Sequence, residues 1–220
     1  MTTIALMRHS HKRDRHSRAG WILFIALSCS FGFCVAQESE CGSLRNAYGP
    51  FDYRDSTRKK ELDLVELGHF NDDVRTLRHG LSSFLPINDL DYVLRAFPNH
   101  WGALDAVSRY QLRGGNMLEF RTAECYFDRA IRFVPDDGKV RLLYGIYLMR
   151  GKHDAEAKRA LEEAERLLPD SIDVTYNLGL LYLRLGEPDR AMDKARVAYA
   201  QGYPLTGLRD ALKKAGAWKP

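Results

Sequence analysis

The sequence is short of the spacings that chemistry needs. No two of its seven histidines fall one helical turn apart, and His69, His79, His100 and His153 stand well separated. That excludes the paired-histidine helix of metal hydrolases. There is no close cysteine pair of metal-ligand spacing, no nucleophile elbow and no glycine-rich phosphate loop, since Gly114-Gly115 is a lone turn. Asp72-Asp73 and Glu162-Glu163 read as solvated pairs on helix faces. No catalytic, cofactor or metal residue is assigned, and the chain reads as a non-enzyme without cofactors.

Excess charge is also scarce. Lys and Arg total 33 and Asp and Glu 29. The first 36 residues hold five of those bases (Arg8, Lys12, Arg13, Arg15, Arg18) and one acid, Asp14, which leaves 28 of each sign in residues 37–220. The basic balance therefore belongs to the leader, and nothing beyond it forms a nucleic-acid footprint. Nor is there an apolar run of the roughly 20 residues that a spanning helix needs. Residues 21–35 run without a charge and are short of that length.

What is there begins with that leader. A basic flank, an uncharged run and Cys34-Val35-Ala36 resemble a signal peptide cut before Gln37. The rival is an uncleaved anchor, the one case in which a membrane is a partner. The basic flank stays cytoplasmic either way, so the rest of the chain is expected to be periplasmic or secreted. Met7 is a second candidate start. His9, His11 and His16 read as polar filler in the flank, and Cys29 and Cys34 fit a lipid-attachment signal badly.

The second feature is a period. Ala123, Ala157 and Ala191 are 34 apart, as are Gly145 and Gly179; Pro98, Pro135, Pro169 and Pro204 are 37, 34 and 35 apart. Such a period signals stacked helix pairs. Residues 176–183 form an uncharged first helix, and Gly186 and Pro188 break it. Residues 190–200 restart a second helix, with Ala191, Ala195 and Ala198 on one face. Small residues let helix axes approach closely. Gly179 is expected to face Ala191 across this hairpin. An insertion at residues 113–116 accounts for the longer first interval.

These residues resemble the tetratricopeptide repeat (TPR) family, whose first helix carries an aromatic, a leucine-glycine pair and a tyrosine, and whose second carries alanine, a large apolar residue, alanine and proline. Leu178, Gly179, Tyr182, Ala191 and Ala198 match in the third repeat. Gly145, Ala157, Leu161, Ala164 and Pro169 match in the second, and Ala123, Phe127, Ala130 and Pro135 in the first, with Trp101 as its aromatic. Thr175, Arg141, Ala195 and Tyr203 depart from the pattern. The resemblance covers about half the chain and implies an all-α solenoid of antiparallel helix pairs that binds a peptide or protein segment in a concave groove. First-helix side chains line that groove. Here they are Leu142, Ile146, Met149 and Arg150, then Tyr176, Leu180, Leu183 and Arg184. The family's carboxylate clamp needs Asn and Lys where Leu142 and Ile146 stand, so the resemblance implies an apolar groove edged by Arg150 and Arg184. The rival is a groove filled by the chain's own N-terminal arm or terminal helix. Tyr176→Ala and Leu142→Ala are expected to abolish capture without loss of helicity.

The remaining boundaries follow. Residues 37–60 form an irregular arm whose Tyr48, Phe51 and Tyr53 are too apolar for a free tail and should lie against the repeats. With Cys41, this stretch resembles the start of secreted repeat proteins of Gram-negative bacteria, which brings no activity with it. Residues 61–98 form a helical pair, one helix to Gly80 and another from Asp89, reading as a degenerate repeat. Residues 99–135, 136–171 and 172–204 are the three repeats, and 205–220 a capping helix with Leu205, Leu208, Ala211, Leu212 and Ala215 inward and Trp218 packed behind. Asp136-Asp137 and Asp170-Ser171 follow prolines and read as helix caps. In an oxidising compartment Cys41 and Cys125 form a candidate disulfide; a buried free Cys125 with a mobile Cys41 is the alternative. The reading is an exported interaction scaffold in envelope, secretion or pilus assembly. Its rivals are a structural subunit with a self-filled groove, and an enzyme whose site, marked by a polar pocket with a perturbed carboxylate or histidine, lies within 37–98.

Overall fold

The computed structural model describes residues 40–219. The leader, its cleavage point and Cys29, Cys34, His9, His11 and His16 lie outside them. The described residues hold ten α-helices and no strand. Three hairpins run in order: α4 (Trp101–Leu112) with α5 (Ala123–Phe133), α6 (Gly138–Arg150) with α7 (Asp154–Leu167), and α8 (Ile172–Arg184) with α9 (Pro188–Ala200). Each first helix packs also on the next one, α4 on α6 and α6 on α8, and α8 is covered by α10 (Gly207–Lys214). This is a TPR-like α-solenoid. Its core runs unbroken from Val65 to Leu212.

The prolines punctuate it. Pro98, Pro135 and Pro169 each follow a second-place helix, and two residues on stands the cap of the next: His100, Asp137 and Ser171. Each side chain accepts a backbone N–H of the helix it opens, satisfying a donor that the first turn leaves free. Asp137 does more. Buried, it also accepts Trp101 Nε1–H and Asn99 Nδ2–H, both at 3.0 Å, and so ties α4 to α6. Asp136 is no cap; it pairs with Arg54 at 3.1 Å.

The alanines at the 34-residue interval, Ala123, Ala157 and Ala191, are fully buried. The glycines face partners other than the expected one. A Cβ on Gly179 would stand 2.5 Å from Leu208 of α10 and 3.2 Å from Lys194 Cβ; Ala191 is not among its nearest neighbours. A Cβ on Gly145 would stand 2.5 Å from Leu161 Cγ, not beside Ala157. The glycine seats a leucine instead of letting an alanine approach. In the third hairpin Ala195 stands four residues after Ala191, as Leu161 does after Ala157. Ala195 is too short to fill the seat, and Leu208 supplies the missing bulk.

Three helices, not two, precede the repeats: α1 (Lys59–His69), α2 (Asp72–Thr76) and α3 (Pro86–Ala96). The expected helix to Gly80 breaks after His69 because Asn71 caps a new start, accepting Val74 N–H at 3.0 Å. The next helix begins three residues before Asp89, with Pro86 at its first position, where a missing N–H costs nothing. The insertion between α4 and α5 is tied at its base by Gln111, whose side-chain oxygen accepts Ala123 N–H at 2.6 Å while its amide donates to Tyr147 Oη and Glu124. Leu205, expected inside the terminal helix, lies before it and is 55% exposed. Trp218 packs edge-on to Tyr199, 6.0 Å between ring centres.

The arm is laid down firmly. Phe51 N–H donates to Ala96 O at 2.8 Å and Tyr53 N–H to Asn99 Oδ1 at 2.9 Å. Phe51 meets Phe97, and Tyr53 meets His100 and Trp101. A disulfide joins Cys41 to Cys125 of α5. Beside it Arg121, Arg129 and Arg132 donate to the carbonyls of Cys41, Ser43 and Gly42.

Candidate functional site

Between α6, α8 and the segment 203–205 lies an open cleft of about 430 Å3. On α6 its lining side chains are Lys139, Leu142, Leu143, Ile146, Met149 and Arg150, at helical spacings of three and four that keep them on one face. On α8 they are Asp173, Tyr176, Asn177 and Leu180, on the same principle. Tyr203 and Leu205 close one side. Leu142 and Tyr176 are buried and form the floor, whereas Leu143, Ile146, Met149 and Leu180 are partly buried walls.

Two tyrosines set the polar end. Their rings lie 4.3 Å apart. Tyr176 Oη accepts Leu208 N–H at 3.2 Å, and Tyr203 Oη donates to Asp173 Oδ1 at 3.0 Å. Burial pushes both phenols up, and the Asp173 carboxylate adds to the effect at Tyr203, so both stay protonated. Lys139 Nζ stands 5.1 Å from the Trp101 ring centre. Arg150 reaches Asp105 at 4.0 Å, a loose pairing that leaves its guanidinium half-exposed. The cleft thus offers an apolar seam with a cation towards each end of α6 and a single acid, Asp173, already engaged.

Six of the eight expected residues line this cleft: Leu142, Ile146, Met149, Arg150, Tyr176 and Leu180. Leu183 and Arg184 do not. Leu183, at the end of α8, packs against the core. Arg184 turns to the previous hairpin, donating to Met149 O and pairing with Asp154 at the start of α7. The edge expected of it is supplied by Lys139. Widening the helical arc by one position on either side would have found Lys139, Leu143, Asp173 and Asn177. Tyr203 and Leu205 come from a non-helical segment, which no helical periodicity can place. No residue of the arm or of α10 lines the cleft.

No family model matches the chain, and no curated protein matches it. Among solved structures the chain is similar to a thermophilic TPR protein from Thermus thermophilus, with 19% identity over 73% of this chain and 76% of that one, at a TM-score of 0.46.

Proposed function

We propose that the protein is an exported scaffold that holds a peptide or protein segment in the cleft between α6 and α8. The observation that carries this reading is the cleft itself: partly buried Ile146, Met149, Leu143 and Leu180 over a buried floor, with neither the arm nor α10 among its lining. Such a surface suits an extended or helical segment with apolar anchors. The cations at Lys139 and Arg150 favour acidic residues flanking those anchors. Export rests on the leader-like residues 1–36 and on the Cys41–Cys125 bridge, a bond that persists in oxidising compartments.

A photo-crosslinking residue placed at Leu180, and in a second variant at Val197 on α9 outside the cleft, tests this in intact cells. The Leu180 position should give a discrete protein adduct that Ile146→Asp removes while helicity is unchanged. Equal adducts from both positions, or adducts indifferent to Ile146→Asp, remove the cleft from the account.

A further inference from the structure

A second cleft, of about 390 Å3, lies among α1, α3 and the arm, away from the one described above. Tyr48, Leu64, Val65, Gly68, His69 and Tyr92 line it. Its walls are apolar, and neither a lysine nor an arginine is among them. The exception is His69, whose ring stacks on Tyr92 with centroids 3.9 Å apart. His69 Nδ1 lies 2.8 Å from Asp89 Oδ1.

Asp89 has no exposed surface. Besides His69 it accepts Leu81 N–H at 2.7 Å and Ser82 N–H at 3.1 Å. Burial by itself would raise its pKa, but the hydrogen bonds from His69, Ser82 and Leu81 outweigh burial and hold the carboxyl below the usual aspartate value. Asp89 is therefore ionised and only accepts. It follows that His69 Nδ1 carries the hydrogen, the tautomer in which Nε2 is the ring's acceptor. The side chain is 26% exposed and lines the cleft while Asp89 is wholly enclosed; Nδ1 is engaged with Asp89, and among the described residues no hydrogen bond occupies Nε2.

The geometry points to a binding site for a small, neutral, mostly apolar molecule of the phenol or indole class, held by one hydrogen bond from its O–H or N–H to His69 Nε2. The volume falls within the usual range for small-molecule sites, which combine apolar walls with a few fixed polar groups. Anions are disfavoured, because the lining carries no cation and Asp89 stands behind the ring.

The test titrates the full chain with phenol and, separately, with toluene, which has the same body and no donor. Nuclear magnetic resonance follows the amides of Val65 and Gly68 and the His69 imidazole nitrogens. Phenol should move the amides and shift Nε2; toluene should move the amides alone. His69→Phe keeps a ring against Tyr92 and removes Nε2. It should weaken phenol about fivefold or more, the scale of one hydrogen bond, and leave toluene within about twofold. Phenol that leaves the Val65 and Gly68 amides or Nε2 unmoved overturns the proposal, and so does a variant that weakens both molecules alike. If His69→Phe does not fold, the Nε2 resonance of the unaltered chain decides alone.

Discussion

Leu161 of α7 sits directly over Gly145 of α6: a Cβ on the glycine would fall 2.5 Å from Leu161 Cγ and 2.7 Å from Cδ2. Leu161 has no exposed surface and cannot swing away. Gly145→Ala gains roughly 1 kcal/mol of helix propensity but overpacks a full core at about 1–3 kcal/mol. We expect net destabilisation of up to about 2 kcal/mol. In a Leu161→Ala background the same change should turn stabilising. Urea unfolding of the four-member cycle checks it; additive effects would mean that the two side chains do not compete for one space.

Lys152 ends α6 with φ +65°, at the place where Gly186 ends α8 with φ +76°. Both turns close alike, with the N–H groups of Lys152 and His153 bonding back to Met149 O and Leu148 O, and those of Gly186 and Glu187 to Leu183 O and Tyr182 O. A left-handed backbone costs a lysine about 1–2 kcal/mol and glycine almost nothing. Lys152→Gly should therefore raise stability by about 0.5–1 kcal/mol after the extra freedom of the unfolded chain is subtracted. A lower melting temperature would contradict the backbone argument.

The Cys41–Cys125 bridge closes a loop of sequence separation 84. Replacing both cysteines by serine should cost about 2–4 kcal/mol, by returning freedom to the unfolded chain. The arm, though still held by Arg121, Arg129 and Arg132, should become the first site of proteolytic cutting. Mass measurement after alkylation without reductant gives a direct reading: two labelled thiols in freshly isolated protein are incompatible with the bond.

Asp89 sets an acid limit. Its folded pKa is depressed, so its contribution is complete above the unfolded aspartate value of about 3.9 and is lost as pH falls through the lower folded value. Asp89→Asn keeps one oxygen for the Leu81 and Ser82 N–H groups but sets an NH2 against His69 Nδ1–H, and should destabilise by about 1–3 kcal/mol near neutrality. Between pH 5 and 4 the gap between variant and parent should hold, and it should close below roughly pH 4. A gap independent of pH down to pH 2 would show that the carboxylate charge is not what matters.

The repeats were legible because their signals are local: a proline stop, a cap two residues on, and a buried alanine at a fixed interval all act within a few residues of themselves. His100 is a cap that the composition hides, since histidine is an uncommon one; its position two residues after Pro98 was the available clue. The cleft was readable where helical register governs it, at Leu142, Ile146 and Leu180, and unreadable where a coil segment supplies Tyr203 and Leu205. Burial was the harder quantity. Tyr176 and Leu142 hold the floor, and Tyr176 also receives Leu208 N–H, so truncating either removes packing as well as contact with a partner. Glycine positions were visible while their partners were not, because Leu208 reaches Gly179 from an element that the period does not include.

That reach has a kinetic meaning. Chains emerge from synthesis N-terminus first, and segments fold as their contacts become complete. The seat at Gly145 is filled from within its own hairpin, so the second repeat can consolidate as soon as α7 has emerged. The seat at Gly179 waits for α10. Until that last helix docks, the third hairpin carries a hole beside the open cleft, and a chain cut short before Leu208 would stall with its final turn of the solenoid unsealed.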